Sequence, residues 1–272
     1  MIHVNIWADP SRASGPEIVE MATKLEQRSQ APDQIQVNLN LIKAIAPIPG
    51  QRLLEVGCGT GILCRLLAPK VSPAGCVIGV DISPDLISIA QHLATQAGLA
   101  NMIQWCAGNA ETLPFPDASF DGVLAARLLL HVSQPEIILK ELVRVVRPGS
   151  KVVVMDWDFG TVAVDHPNSE LTRRILNWRC DHDGGNNWSG RQLWKRMTSA
   201  GISNLQIAPV VSIAHQTQDS LSISLFRAAQ VALDGGEITS SEYEAWVDEL
   251  KSAMAIGCFF ASIVYFIVSG ER

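Results

Sequence analysis

The stretch Leu53–Gly61, "LLEVGCGTG", decides how the rest of this chain is read. An apolar run carrying the acid Glu55 ends in three closely spaced glycines, Gly57, Gly59 and Gly61. A strand that enters such a turn brings backbone close to a nucleotide-like ligand. The spacing separates the possible ligands. A dinucleotide turn, G-x-G-x-x-G, wants glycine or alanine at its sixth position, and Ile62 stands there. A P-loop wants a lysine followed by serine or threonine after the glycines, and neither is present. Glu55 would repel a nearby pyrophosphate but suits a ligand with positive charge or hydrogen-bond donors.

Outward from this turn, strands and helices alternate. Arg52–Val56 reads as a strand, Gly61–Ala68 as a helix and Cys76–Asp81 as a second strand. The next helix has Ser83 as N-cap, Pro84 at its first position and Gly98 as its stop. "MIQWCAGN" and the start of "FDGVLAARLLL" read as strands, Pro135–Gly149 as a helix, and "KVVVMDWD" (Lys151–Asp158) as a strand. Continuous apolar strands separated by helices imply an α/β fold whose parallel sheet is covered on both faces. Before this core, Glu17–Ala46 has helical periodicity, broken by Pro32. After Asp158 the alternation is less clean. Two helical pieces, 169–181 and 190–201, flank the polar "HDGGNNWSG". A strand-like "NLQIAPVVSIAH" follows, then helix over 217–251 and a last strand in "FFASIVYFIVSG".

The 272 residues carry a net charge of −6, with 47% hydrophobic and 18% charged residues. With no basic block, no footprint for nucleic acid is expected. Six scattered cysteines without a CxxC pair read as buried thiols of a reducing compartment, not as metal ligands. The N-terminal "MIHVNIWADPSR" lacks the pattern of a secretory leader. The uncharged run 252–270 approaches the length of a membrane span, but its β-branched and aromatic content predicts a buried strand.

Three more polar residues follow the strands in order. Asp81 ends the second strand, where an acid can bind both hydroxyls of a ribose; Asn109 and Glu111 lie just past the third. Each has an ordinary alternative, as a helix-start acid, a turn former or a solvated charge. Their order and spacing along one sheet edge argue against coincidence.

"LLEVGCGTG", "VIGVDIS", "GNAETLPFPDASFD" and "RVVRPGS" together resemble the successive motifs of class I S-adenosylmethionine-dependent methyltransferases, in particular the ubiquinone/menaquinone-biosynthesis-like branch acting on small molecules. The resemblance covers about residues 50–158. It implies a Rossmann-like, seven-stranded, mostly parallel sheet with an antiparallel last strand. It divides the chain into an N-terminal helical lid (1–49), a cofactor-binding core (50–158) and a substrate-covering insert that completes the sheet (159–272). The cofactor would be S-adenosyl-L-methionine, leaving S-adenosyl-L-homocysteine. By this resemblance Gly57, Cys58 and Gly59 approach its methionine portion and ribose. Glu55 fixes the turn and the ammonium side, Asp81 takes the ribose hydroxyls, and Ile82 packs on the adenine. Asn109 and Ala110 meet the adenine edge with Glu111 nearby, and Arg127 lines the methionine end through its backbone. Many relatives have aspartate where Asn109 stands.

Methyl transfer from a sulfonium is an in-line displacement that asks the protein to align a nucleophile, exclude water and sometimes remove a proton. His131 and Asp156 are the base candidates by position, with Asp158, His166 and His182 behind them. Trp157, Trp178, Trp188 and Phe226, with Trp7 from the N-terminal lid, are the expected wall of an acceptor site. The expected acceptor is therefore a small apolar or aromatic metabolite, in a cytoplasmic enzyme without stable membrane insertion. A non-catalytic cofactor-binding module is the alternative, and a plugged acceptor site would mark it.

Overall fold

In a computed structural model of the chain, residues 13, 15–216 and 219–272 are described. Trp7, expected in the lid, lies outside the described residues. Two helices come first, α1 (Pro16–Ser29) and α2 (Pro32–Ile45). Pro32 does more than break one helix: each helix opens on a proline, whose missing N–H and fixed φ suit the first turn. Then come β1 (Arg52–Val56), α3 (Ile62–Val71), β2 (Cys76–Asp81), α4 (Pro84–Gln96), β3 (Ile103–Ala107) and β4 (Phe120–Ala126). A short 3-10 turn (Leu129–His131) leads to α5 (Pro135–Val145) and β5 (Val146–Val164). The chain ends with α6 (Ser169–His182), α7 (Ser189–Ser199), β6 (Ser203–Ala214), α8 (Ser220–Asp234), α9 (Ser240–Ala255) and β7 (Ala261–Glu271).

The seven strands form one sheet in the order β3-β2-β1-β4-β5-β7-β6. Strands β1 to β5 pair in parallel, and β7 runs antiparallel to both β5 and β6. The Rossmann-like sheet expected from the motifs is therefore present, with its antiparallel last strand second from the edge. Apolar side chains on both faces explain the continuous runs: Val152, Val153, Val154 and Met155 are all fully buried, and they divide between two core clusters. The strand order reverses between β1 and β4, so their carboxyl ends open the crevice where such sheets bind ligands.

Two elements differ from the sequence reading. Helix α5 stops at Val145, because Val146 already pairs with Phe120 as the start of β5. Strand β5 also runs past Asp158 to Val164, through an irregularity between Asp158 and Ala163. The Gly160 N–H donates to Asp158 Oδ1 at 3.0 Å, and Thr161 Oγ1 accepts from the Val264 N–H at 2.9 Å. Those bonds carry the strand across Gly160, past the Asp158 end expected from the sequence. Residue 158 thus lies within β5, and β6 and β7 complete the same sheet. The uncharged C-terminal run divides into the end of α9 and β7; among the described residues no helix is long and apolar enough to cross a membrane.

Candidate methyl-transfer site

The glycine turn leaves β1 at Val56, and Gly57, Gly59 and Gly61 all have left-handed φ of 74°, 54° and 75°. Its amides are turned inward. The Gly57 and Cys58 N–H groups both donate to Val80 O, at 2.8 and 2.9 Å, and the Gly61 N–H donates to Cys58 O at 2.8 Å. The Gly59 N–H donates to Asp81 Oδ2 at 2.8 Å. A phosphate cradle needs converging free N–H groups. Here four are already used, and two carboxylates stand beside them. Glu55 is buried, and its Oε2 accepts from the Cys64 N–H and Sγ, both at 2.9 Å. It thereby satisfies an open amide in the first turn of α3.

Asp81 is 7% exposed at the end of β2. Besides Gly59, it accepts the Ser83 N–H at 3.0 Å, so one carboxylate fastens the glycine turn and the start of α4 together. Burial raises its pKa, and the Ser83 and Gly59 amides oppose that shift. Ile82 beside it is 40% exposed, an aliphatic surface at the sheet edge. Asn109 is exposed, and its side-chain oxygen accepts the Glu111 N–H at 2.9 Å, the bond of a local turn. Ala110 and Glu111 are half-buried next to it.

These residues fit S-adenosylmethionine. A carboxylate can accept from the two ribose hydroxyls, the Ile82 face can receive a purine, and no converging set of amides demands a phosphate. Leu25 of α1 lies 3.2 Å from where a Cβ on Gly59 would be, which places α1 over the turn. Leu128 stands 3.1 Å from the same point on Gly57, so the segment after β4 closes the other side.

At that second side Arg127 has a left-handed φ of 57°, held by its N–H bond to Met155 O at 2.7 Å. Its side chain turns toward α2, where Nη1 donates to Gln34 Oε1 at 3.1 Å. Gln34 Nε2 in turn meets Tyr265 OH at 3.2 Å. Tyr265 packs edge-on to Trp157, and Trp157 edge-on to His131. Of the aromatic residues expected to line the acceptor site, Trp157 is the one this network includes. Trp178 stacks on His182 with centroids 3.8 Å apart and abuts Gly235 after α8. Trp188 lies over Gly160 and under the Arg191 guanidinium, and its Nε1 donates to Asp181 at 3.2 Å. Phe226 packs against the larger core cluster. The polar members Gln34 and Tyr265 were not singled out in the sequence. Nothing local marks them: Tyr265 meets Trp157 through the antiparallel pairing of β7 with β5, which pairs these two residues directly.

His131 is half-buried, and burial, with Arg28 and Arg127 adding to it, lowers its pKa to about 3. It therefore stays neutral at ordinary pH and holds a proton weakly. Asp156 is fully buried, and its Oδ2 accepts from Ser189 Oγ at 2.6 Å, tying β5 to α7. Helix α7 comes this close because Gly190 has no side chain; a Cβ there would lie 2.8 Å from Trp157 O. Asp158 is paired with Arg191, and His166 stacks on Trp246.

Burial pushes Asp156 up to about 7, opposed by Ser189 and, less, by Arg196 and Arg127; burial also pushes Glu55 up to about 7. Both folded values lie above the ordinary carboxylate range, so the folded chain holds these protons more tightly than the unfolded chain. Their contribution to stability is therefore fullest below that range and is lost as pH rises through about 7. Asp156→Asn removes one of the two titrations and can keep the Ser189 bond. Its melting temperature should exceed that of the unmodified protein at pH 8 by at least about 2 °C, the scale of 1 kcal/mol in a chain this size. At pH 5 the difference should shrink. Melting curves at the two pH values check this, and an equal shift at both would remove Asp156 as the titrating group.

Comparison with known proteins agrees with this geometry. The methyltransferase-domain family profile matches residues 54–154. An O-methyltransferase of Aspergillus nomiae is 32% identical over 176 residues, 64% of this chain and 69% of that protein. The chain belongs to the class I S-adenosylmethionine-dependent methyltransferases. A 2-phytyl-1,4-naphtoquinone methyltransferase of Synechococcus elongatus is 40% identical over 134 residues, covering 49% of this chain and 54% of its own. A methyltransferase structure from Aquifex aeolicus shares the fold, with a TM-score of 0.52 at 15% identity over 91% of this chain and 97% of that one. Among the curated relatives, the matched stretch spans 65% of a Streptomyces fradiae protein and 54% of the Synechococcus enzyme, so parts of those proteins have no counterpart in the match.

Proposed function

We propose that the protein transfers a methyl group from S-adenosyl-L-methionine to N, O or C of a small apolar or aromatic metabolite, a natural product or a quinone-like compound. The observation that carries this reading is the inward-turned glycine turn. Its amides are bonded to Val80 O, Asp81 and Cys58 O, and Glu55 and Asp81 flank it, so it suits a cationic nucleoside and disfavours a pyrophosphate. Quinone and O-methyltransferase relatives support the acceptor class.

In this reading Asp81 holds the ribose hydroxyls, Ile82 and Ala110 border the adenine with Asn109 and Glu111 at its edge, and the Gly57–Gly59 backbone lies along the methionine portion. When bound, the cofactor supplies an electrophilic methyl on a positive sulfur. The protein's task is to present the acceptor in line with it and to exclude water. Segment 127–128 and Trp157 sit on that side of the turn. His131, held neutral, is suited to orient an acceptor hydroxyl or amine by a hydrogen bond. Asp156, engaged by Ser189, is suited to position β5. Trp178, Trp188 and Phe226 would act on the acceptor indirectly, by holding α6, α7 and α8 over the sheet. The 1–49 segment is the proposed lid, 50–158 the cofactor-binding core and 159–272 the acceptor cover. The partner is the small-molecule acceptor, and no nucleic acid is expected. Six free cysteines support a reducing, cytoplasmic setting.

Titration calorimetry with S-adenosylhomocysteine and, separately, NADH tests the cofactor. Micromolar binding of the first and none of the second is expected; the reverse sinks the reading. Label transfer from methyl-labelled cofactor to a panel of quinols and phenols then tests turnover. Tight cofactor binding with no transfer to any acceptor would favour a non-catalytic module.

A further inference from the structure

Tyr265 is 3% exposed, and its hydroxyl has one hydrogen bond among the described residues, from Gln34 Nε2 at 3.2 Å. The rest of the Gln34 amide fixes the direction of that bond. Arg127 Nη1 donates to Gln34 Oε1 at 3.1 Å, and a guanidinium can only donate. Gln34 Nε2 also meets Asp33 Oδ2 at 2.9 Å, and a carboxylate accepts. The two ends of the amide are thereby distinguished, so Nε2 donates to Tyr265 as well. The hydroxyl receives that bond, and its own proton is left to donate elsewhere. Trp157, paired directly with Tyr265 across β5 and β7, holds a second such donor. Its Nε1 is buried without a partner, and an indole N–H can only donate. Cross-strand partners share a face of the sheet, and the two rings stand edge-on with centroids 6.3 Å apart. A buried donor without an acceptor is unfavourable, so each marks a place where a ligand can supply one.

We infer that Tyr265 and Trp157 are the specificity-determining pair of the acceptor site, and that their O–H and N–H groups bind a carbonyl oxygen of the methyl acceptor. This rests on the methyltransferase reading and narrows its acceptors from small apolar aromatics to aromatics that carry a carbonyl. A carbonyl oxygen has two lone pairs and no proton, so it answers donors without adding one. An amine or hydroxyl brings a proton of its own to a place already supplied with donors. The two rings add apolar surface for the flat body that bears the carbonyl. The cofactor's carboxylate also offers oxygens and is the other source of the same chemistry. Position favours the acceptor. The glycine turn leaves β1, and the order β1-β4-β5-β7 puts Trp157 two strands and Tyr265 three strands from it, about 10 and 14 Å across the sheet. His131, in the segment after β4, stands edge-on to Trp157 with centroids 6.4 Å apart, so the pair adjoins the residue suited to orient the acceptor.

The full-length protein, saturated with S-adenosylhomocysteine, is titrated with 2-acetylnaphthalene and with 2-isopropenylnaphthalene, in which a methylene stands where the ketone has its oxygen. The expected result is a preference for the ketone of about tenfold, the scale of one hydrogen bond to an otherwise unpaired buried donor. Tyr265→Phe removes the hydroxyl and keeps the ring. It should collapse the preference toward equality and leave S-adenosylhomocysteine affinity unchanged. Trp157→Phe should lower the preference as well, and it carries the test if melting curves show that Tyr265→Phe does not fold. Equal binding of the two probes to the unmodified protein, or binding of neither, overturns the inference. So does a preference undiminished in the folded variants. A fall in S-adenosylhomocysteine affinity in folded Tyr265→Phe assigns the hydroxyl to the cofactor and overturns it too. Failure of S-adenosylhomocysteine to bind the unmodified protein is read in its own titration; it overturns the methyltransferase reading, and the inference with it.

Discussion

Asp81→Asn is expected to lower affinity for S-adenosylhomocysteine by about 10- to 100-fold, or about 1.4–2.8 kcal/mol. The change is nearly isosteric, so its effect comes from hydrogen bonding. Both carboxylate oxygens already accept backbone amides, Gly59 N–H at 2.8 Å and Ser83 N–H at 3.0 Å. An asparagine turns one of those acceptors into a donor, which then faces a donor. A buried amide left without its acceptor costs about 1–3 kcal/mol, and here the loss loosens either the glycine turn or the start of α4. The ribose hydroxyls lose an acceptor in the same step. Calorimetric titration reads the affinity and a melting curve reads the turn. Unchanged affinity would remove Asp81 from the ribose site and leave it a purely structural clasp. A loss of stability with no loss of affinity would say the same.

The second large effect belongs to Gly61→Ala. A Cβ built there lies 2.2 Å from Cη2 and 2.7 Å from Cζ3 of Trp105, and 3.3 Å from Cβ of Ala90. Gly61 also has φ of 75° as the residue before α3, a region where a side chain is strained. Overpacking of about 1–3 kcal/mol adds to backbone strain of about 1–2 kcal/mol, for an expected loss of about 2–5 kcal/mol. Gly98→Ala is the control. It has a similar φ of 71° but nothing within 4 Å of its built Cβ, so it carries the strain alone. Adding Trp105→Leu to Gly61→Ala should recover part of the loss by opening the space. Denaturant unfolding of these variants separates the two causes. Equal losses at Gly61 and Gly98 would mean that Trp105 yields without resistance.

That collision shows why the third glycine is needed in this turn although its spacing is not that of a dinucleotide fingerprint. The indole of β3 fills the place where helix and strand would otherwise approach. The spacing was legible; the reason for it was not, because Trp105 lies far along the chain and reaches Gly61 only through the pairing of β3 with β2 and the placement of α3. Asp81 is similar. Its position at the end of an apolar strand announced a ligand role, but its clasp on Gly59 needs β1 and β2 side by side.

By itself the sequence determined the α/β alternation, the place of the glycine turn, the capped and proline-opened start of α4 and the class of ligand the turn would refuse. These are local: each depends on residues a few positions apart, whose periodicity, cap chemistry or charge acts within one element. Tertiary structure alone decided the rest. It carried β5 through the irregularity at Gly160, because Thr161 found a partner in Val264. It set Trp178 and Trp188 among the covering helices while drawing Trp157 toward Tyr265, since strand register decides which face of a sheet a side chain meets. It also brought Gln34, Arg127 and Tyr265 to one place from α2, the end of β4 and β7. No pattern within any one of those segments marks that meeting, because it depends on how α2 packs against the sheet.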